Sequence, residues 1–362
     1  MHLITIPKGI SEPVPVQGGL PMEAGGEYIG TNAFAGEMML SRWRVVIEGQ
    51  MWSLRLLMKV RPITFFPFDP TNDWNERDIW LYRGGGWGDL LMLTPTIREL
   101  KTRWPACRIH VACGSEYFPL FQDIDIFTEY IPIPHERRAQ IDCLVDFEEL
   151  IEGTPMAENE HMAQLFANQL GLKLESLQPE YYVDEEELSW AEEKYPRSGL
   201  PRIGIQFLAS AFYRSYPFMG KVMAELAKKT QVFLFGRPGQ VKLVKPIPNV
   251  VNLMEEKLSF RQSAAIVLTC DACVSPDSAM VHLCSALDKP CVAIYGPFPS
   301  DLRTTSNLTM SLNGKAPCAP CFFHAETPDQ FPMGMPCFEK KSCVALESID
   351  PERVVRNVLS LI

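Results

Sequence analysis

Apolar positions between residues 78 and 172, and again between 203 and 295, fall into short blocks of two kinds. Residues 79–82, 108–113, 130–133 and 143–146 are compact apolar runs of strand length, while 90–104 and 162–172 repeat at helical spacing, the latter stopping at Gly171. A second series follows, with strand runs at 203–207, 232–235, 250–253, 272–275 and 291–295 and helical patterns at 219–229 and 260–268. Strands alternating with helices predict an α/β protein with parallel, doubly wound sheets. An acidic stretch at 184–193 leads into a linker at 196–201 that separates the two series. Residues 350–362 read as a closing amphipathic helix with Pro351 in its first turn.

Residues 1–75 stand apart from this pattern. Pro13, Pro15, Gly18, Gly19, Gly25 and Gly26 precede a stretch at 38–60 whose aromatic and basic residues have helix-like spacing. Trp43, Arg44, Trp52, Arg55, Lys59 and Arg61 could dress an acceptor or partner surface; the competing reading is an N-terminal arm packed on the first domain.

Composition narrows the class. A chain of 362 residues, 46% hydrophobic and 22% charged, has the make-up of a soluble globular protein with room for two full cores. No apolar run reaches the ~18–20 residues of a membrane span. The opening Met-His-Leu-Ile-Thr-Ile-Pro-Lys lacks the features of a signal peptide, so a cytoplasmic location is expected. A net charge of −10 argues against a broad grip on nucleic acid or anionic lipid, and leaves room for a local basic cleft. Seven of the eleven cysteines lie in or beside apolar runs and read as small buried hydrophobes. The other four, Cys318, Cys321, Cys337 and Cys343, are spaced C-x2-C-x15-C-x5-C in a Pro-rich region. A structural zinc is one reading; reduced thiols or a loop disulfide are the others. Asp123-x-Asp125 lies away from the other motifs and is not read as a metal site.

The candidate chemistry concentrates in two turns. At 276–297 a strand ends in Pro276-Asp277-Ser278, a short helix carries His282 inward, and Lys289-Pro290 breaks it before the next strand. A helix that starts in such a turn points free N–H groups and its positive dipole end at a ligand, which suits a phosphate; the plain alternative is an N-capping Asp-Ser. At 83–89, Arg-Gly-Gly-Gly-Trp-Gly-Asp joins the first strand to the first long helix. It matches neither the dinucleotide fingerprint, since Asp89 stands where a final glycine belongs, nor a P-loop. On its own, Asp89 reads as a helix-capping residue.

Together these segments resemble glycosyltransferase family 9, the ADP-heptose:lipopolysaccharide heptosyltransferases. Asp277, Ser278 and His282 fall in register with the family's Asp-Ser/Thr-Gly-x-x-His, with Ala279 in place of Gly. Gly88-Asp89-Leu90-Leu91-Met92-Leu93-Thr94-Pro95 is similar to the family's Gly-Asp-x-Leu-x-x-x-Pro, and Ser210…Arg214-Ser215-Tyr216-Pro217 to a loop ending in Lys-x-Trp-Pro. Gly236 falls in the next loop, with Gln240 and 252–254 as neighbours of the nucleoside.

The resemblance implies a GT-B fold: two Rossmann-like, doubly wound domains facing across a cleft, with an extra N-terminal segment. Residues 1–75 are then the arm, 76–198 the acceptor domain, 199–345 the nucleotide-sugar domain, and 346–362 a helix crossing back to the first domain. It also implies an inverting glycosyltransferase that needs no metal or other cofactor for transfer. Asp89 is the implied catalytic base; Ser210, Arg214, Gly236, Asp277, Ser278, Ala279 and His282 hold the nucleotide-diphosphate sugar, for which ADP-heptose is one identity. Gly86, Trp87 and Gly88 line the acceptor side. Lipopolysaccharide core is the family's acceptor, while the extra N-terminal segment points to a different glycan, a protein or a modified nucleobase. The competing class is a non-catalytic sugar-nucleotide- or partner-binding protein on the same fold.

Overall fold

In a computed structural model, residues 68–122, 124, 143–147, 150–151, 157–322, 337 and 340–362 are described in full. For 2–5, 27–30, 44–47, 50–53, 59–62, 129–131, 135–136 and 155–156 the backbone alone is described. Trp43, Arg55, Asp123, Asp125 and the Ile141-Asp142 pair lie outside the described residues. The chain divides into two compact units: Met1–Gly85, Ile97–Glu148 and Ala167–Lys173 form one, and Gly86–Thr96, Glu149–Phe166 and Leu174–Ile362 the other.

In the first unit, four parallel strands lie in the order Cys143–Asp146, Asp78–Tyr82, Arg108–Ala112, Glu129–Ile131. Every residue of the strand Asp78–Tyr82 is buried, as a parallel strand covered on both faces requires. Its opening carboxylate stays charged by pairing: Asp78 accepts from Arg108 Nε and Nη2 at 3.0 and 2.6 Å and meets His110 Nε2 at 2.6 Å. Burial pushes the Asp78 carboxyl up, but these partners outweigh it and hold it below the usual range. A separate four-stranded antiparallel sheet takes in His2–Thr5, Glu27–Gly30, Lys59–Pro62 and His135–Glu136. The stretch with helix-like spacing instead contains the paired strands Arg44–Ile47 and Gln50–Ser53. The β-branched run Val45-Val46-Ile47 is the physical reason, since such side chains lose rotamer freedom in a helix and fit a pleated surface.

The second unit holds six parallel strands, in the order Val250–Asn252, Gln231–Phe235, Arg202–Gln206, Ala272–Pro276, Cys291–Tyr295, Thr309–Asn313. Five of them match the apolar runs; Thr309–Asn313 was not anticipated, because only Leu312 in it is buried. The acidic stretch is not a simple approach to a linker but the helix Glu185–Lys194. A capping box starts it: Glu187 N–H donates to Asp184 Oδ1 at 2.8 Å, and Asp184 N–H to Glu187 Oε2 at 3.2 Å. The closing helix Pro351–Leu359 buries Val354 and Val358 in the core that also holds Ile203, Val222, Leu226 and Val292.

Helix Trp87–Arg103 carries Pro95 in its interior, where no N–H exists to reach the Leu91 carbonyl. The Thr94 hydroxyl fills the gap, donating to Leu91 O at 2.7 Å, and in turn accepts from Glu180 N–H at 2.8 Å. Thr94 is fully buried, so Thr94→Val should leave both partners unmet. The expected loss is about 1–3 kcal/mol in urea unfolding; an unchanged midpoint would show that water or a shifted turn satisfies them.

Candidate active site

Parallel strands open a crevice at their carboxyl ends where neighbouring connections leave in opposite directions. In the second unit that point lies between Arg202–Gln206, whose chain moves on to Gln231–Phe235 on one side, and Ala272–Pro276, which moves on to Cys291–Tyr295 on the other. The two loops that leave it carry the predicted donor residues.

After the first strand, the short turn Phe212–Arg214 aims Arg214 Nη2 at Ser210 Oγ, 2.5 Å away, while Arg214 Nε is buried without a partner. Past the second strand, Ser278 takes the N-cap position of helix Ala279–Ala286 in an extended conformation, φ −160°. Its side chain does not cap that helix. Ser275 Oγ donates to Pro276 O at 2.7 Å, so Ser278 Oγ is the donor in the 2.9 Å bond between the two hydroxyls. The first-turn N–H groups of the helix are left without a side-chain cap, and the positive end of its dipole adds to them. Asp277 is buried beside this turn, its N–H bound to Ile294 O at 3.0 Å.

His282 gathers the charges. It is 4% exposed, and its Nδ1 has no partner. Burial pulls its pKa down from 6.5 to about 4; Asp277 and Asp89 push the other way, and Arg303 and Arg214 reinforce burial. Asp89 reaches this ring because the first turn of its helix lies against it. A Cβ added at Gly88 would sit 3.0 Å from His282 Cδ2 and 3.4 Å from Ala279 Cα. Gly86 has φ +92°, a left-handed conformation, and a Cβ there would strike the Asp89 carboxylate. The Asp89 helix start, Asp277, Ser278, Ala279 and His282 therefore lie together, and Arg214, bonded to Ser210, acts on the same ring by its charge.

Other predicted residues serve different ends. Trp87 stacks face to face on Phe260, centroids 4.0 Å apart and planes within 4°, with Tyr181 edge-on to Phe260. Gly236 is needed for packing, since a Cβ would lie 2.6 Å from Met254 Sδ and 2.7 Å from Gln240 Oε1. Gln240 is turned into its own loop, accepting from Arg237 N–H at 3.0 Å, and Asn252 Oδ1 accepts from Met254 N–H at 3.3 Å. Of the late cysteines, Cys318 is exposed, Cys321 half-buried, and Cys337 and Cys343 buried. Burial lifts the Cys343 thiol to about 11, with Cys337 and Cys321 close enough to add to it. Among the described residues, no three potential ligands converge tightly on a metal position.

Two buried neighbours of His282 were not assigned to the donor site from sequence. His161 shares its electrostatic surroundings and is held neutral, its pKa drawn to about 4 chiefly by burial. Arg303 follows the strand Cys291–Tyr295 and lies over the Phe298 ring at 4.5 Å. A lone arginine past the last recognised motif gave no signal of its own.

Residues 148–330 match the family model for glycosyltransferase family 9 (heptosyltransferase), half of the chain. The chain belongs to glycosyltransferase family 9. Lipopolysaccharide heptosyltransferase 2 of Salmonella typhimurium strain LT2 is 32% identical over 91 residues, a match spanning 22% of this chain and 26% of that protein. Among solved structures, a family 9 glycosyltransferase from Veillonella parvula superimposes with a TM-score of 0.57 at 16% identity, covering 80% of this chain and 98% of that one. ADP-heptose lipopolysaccharide heptosyltransferase II of E. coli gives 0.56 at 19%, covering 78% and 98%. The dodecameric iron-containing heptosyltransferase TibC, solved in complex with ADP-D-beta-D-heptose, gives 0.60 at 13% and covers 99% of this chain and 90% of that one. The fold is thus the GT-B type of family 9, as the sequence motifs implied. Asp89 lies outside the span matched by the family model, so its assignment rests on the local motif and on its approach to His282.

The neutral histidines make a pH prediction. Unfolded rings protonate near 6.5 and the folded rings of His161 and His282 near 4, so between these values the unfolded state binds more protons. Stability should be full above that window and fall as pH drops through it. In His282→Gln the loss between pH 7 and pH 5, followed by urea unfolding, should be smaller; an identical loss would mean that the folded ring is not held neutral.

Proposed function

We propose that this protein is an inverting glycosyltransferase that moves a sugar from a nucleotide-diphosphate sugar to an acceptor hydroxyl, without a metal in the transfer step. The observation that carries the reading is the close approach of the Asp89 helix start, at Gly88, to the His282 ring and Ala279, with Arg214 acting on the same ring by its charge. Asp89 takes the proton of the acceptor hydroxyl as its oxygen attacks the anomeric carbon. The carbon–oxygen bond to the diphosphate breaks, its electrons leave with the nucleotide, and a single displacement inverts the anomeric centre. Arg214 and the uncapped helix start at Ala279 supply the positive charge for the leaving diphosphate. Asp277, buried beside the same turn, acts on the His282 ring and shapes the site.

ADP-heptose is the donor we favour, on the strength of the family and of the ligand bound in TibC. The acceptor we expect to differ from lipopolysaccharide core: residues 1–75 supply three strands of an antiparallel sheet completed by His135–Glu136, and the fold match extends over 99% of the chain for TibC against 78–80% for the other two structures. With this goes a cytoplasmic setting, whose reducing milieu suits the buried thiols Cys270, Cys273, Cys284 and Cys291. We further propose that Cys318, Cys321, Cys337 and Cys343 hold one structural metal ion, with zinc as first choice. Cys321 and Cys337 both lie near enough to act on the Cys343 thiol, and the helix-start amides of Ala345 and Leu346 favour its thiolate. Among the described residues the ligands do not yet converge on one position, so the ion would have to draw them together. TibC, described as iron-containing, makes iron the alternative that elemental analysis must include; a protein purified with neither metal would refute the site.

Asp89→Asn should lower the rate of transfer by about 10²–10⁴-fold while calorimetric donor affinity stays nearly unchanged. Persisting turnover would remove Asp89 as the base. Arg214→Ala should weaken donor binding by about 1–3 kcal/mol. Absence of any nucleotide-sugar binding by the wild type would instead leave a non-catalytic protein on this fold.

A further inference from the structure

Arg303 is 5% exposed, yet its side chain makes no ion pair or hydrogen bond among the described residues. Its guanidinium nitrogens are not among the fully buried, unpartnered atoms, so the exposed fraction of the residue includes them and the unpaired cation stays accessible to a ligand. Its place is nevertheless held firmly. Arg303 N–H donates to Ser300 O at 3.0 Å, Thr304 N–H to the same carbonyl at 2.7 Å, and the Thr304 hydroxyl lies between Tyr295 Oη at 2.9 Å and Ser311 Oγ at 3.1 Å. The Phe298 ring, 4.5 Å from the guanidinium carbon, supports one face of the cation.

The surroundings have the same unmet character. His161 Nδ1 accepts from Ala163 N–H at 3.2 Å. The neutral ring therefore carries its proton on Nε2, which is buried near the Thr304 backbone and makes no well-formed hydrogen bond. His282 Nδ1 is likewise buried and unpartnered. Arg303 acts electrostatically on both rings. Positive charge and unpartnered ring nitrogens thus converge at the carboxyl edge of the sheet, beside the helix that starts at Ala279.

We propose that Arg303 is a second cationic clamp on the leaving diphosphate, reaching it from the loop after Cys291–Tyr295 while Arg214 reaches it from the loop after Arg202–Gln206. Resting on the donor reading above, the proposal also explains how the site accepts Ala279. A methyl at the start of the helix takes space where an oxyanion would approach the first N–H groups, and a planar guanidinium from another loop supplies two donors that need none of that space.

The test compares wild type, Arg303→Met and Arg303→Lys by calorimetry with ADP, UDP and GDP and with the corresponding nucleosides, which carry no oxyanion. For the diphosphate that the wild type binds best, Arg303→Met should lose at least about tenfold in affinity, the scale of one charge-assisted contact. Nucleoside affinity should stay the same, and Arg303→Lys should fall between, keeping the charge without the fork. Thermal unfolding separates this role from packing on Phe298. Removing an unpaired charge while Met keeps the apolar stem should leave the ligand-free Tm nearly unchanged, while the rise in Tm caused by the diphosphate shrinks. Should Arg303→Met not fold, the Lys variant decides: affinity equal to wild type overturns the clamp. Equal diphosphate affinity in wild type and Arg303→Met overturns it too. A wild type that binds no nucleoside diphosphate overturns the donor reading itself, and so is distinguishable from failure of the clamp alone.

Discussion

The first turn of helix Trp87–Arg103 can lie against the His282 ring only because residue 88 has no side chain; a Cβ there would be 3.0 Å from the ring and 3.4 Å from Ala279 Cα. Two helix starts are brought together by that close approach, one carrying Asp89 and the other an uncapped set of N–H groups. Gly86, at φ +92°, makes the turn that precedes it, and the Thr94 hydroxyl repairs the carbonyl that Pro95 abandons one turn further on. The Asp89 carboxylate and the uncapped helix start at Ala279 are therefore brought together by backbone geometry.

Electrostatics then give each group its role. His282 and His161 are too deeply buried to carry charge at neutral pH, so they act as fixed dipoles rather than as cations. The formal positive charge comes from two arginines on separate loops, and the negative charge from Asp89 and Asp277. On the proposed reading, this separation sets a carboxylate beside a place for an anion. In solvent such an arrangement would be weak; in a crevice at the carboxyl edge of a parallel sheet it is worth far more.

Much of the fold was legible as alternating periods. The strand Cys291–Tyr295 coincides with its apolar run, and the other anticipated strands of the second sheet lie within about a residue of theirs. What escaped notice did so for identifiable reasons. Thr309–Asn313 buries a single residue and carries no apolar run. Helix Glu185–Lys194 hid its Asp184–Glu187 capping box within a string of acidic residues. In the N-terminal stretch, aromatic and basic spacing mimicked a helix while the β-branched run at 45–47 favoured strands. Within the candidate site, Asp89, Arg214 and His282 stood out because each belongs to a short motif.

Local sequence determined which segments are strands and helices, and which turns lack side chains, because periodicity, glycine and proline act over a few residues. It also supplied the short patterns by which family 9 is recognised. Tertiary structure alone decided that His161 and Arg303, distant in the chain from each other and from Asp89, share one charged neighbourhood with His282. It decided as well that Trp87 stacks on Phe260 and that Gln240 turns into its own loop. The reason is physical: burial, loss of counter-ions and pairing of rings depend on the distance between side chains in space, and no period along a chain encodes that distance.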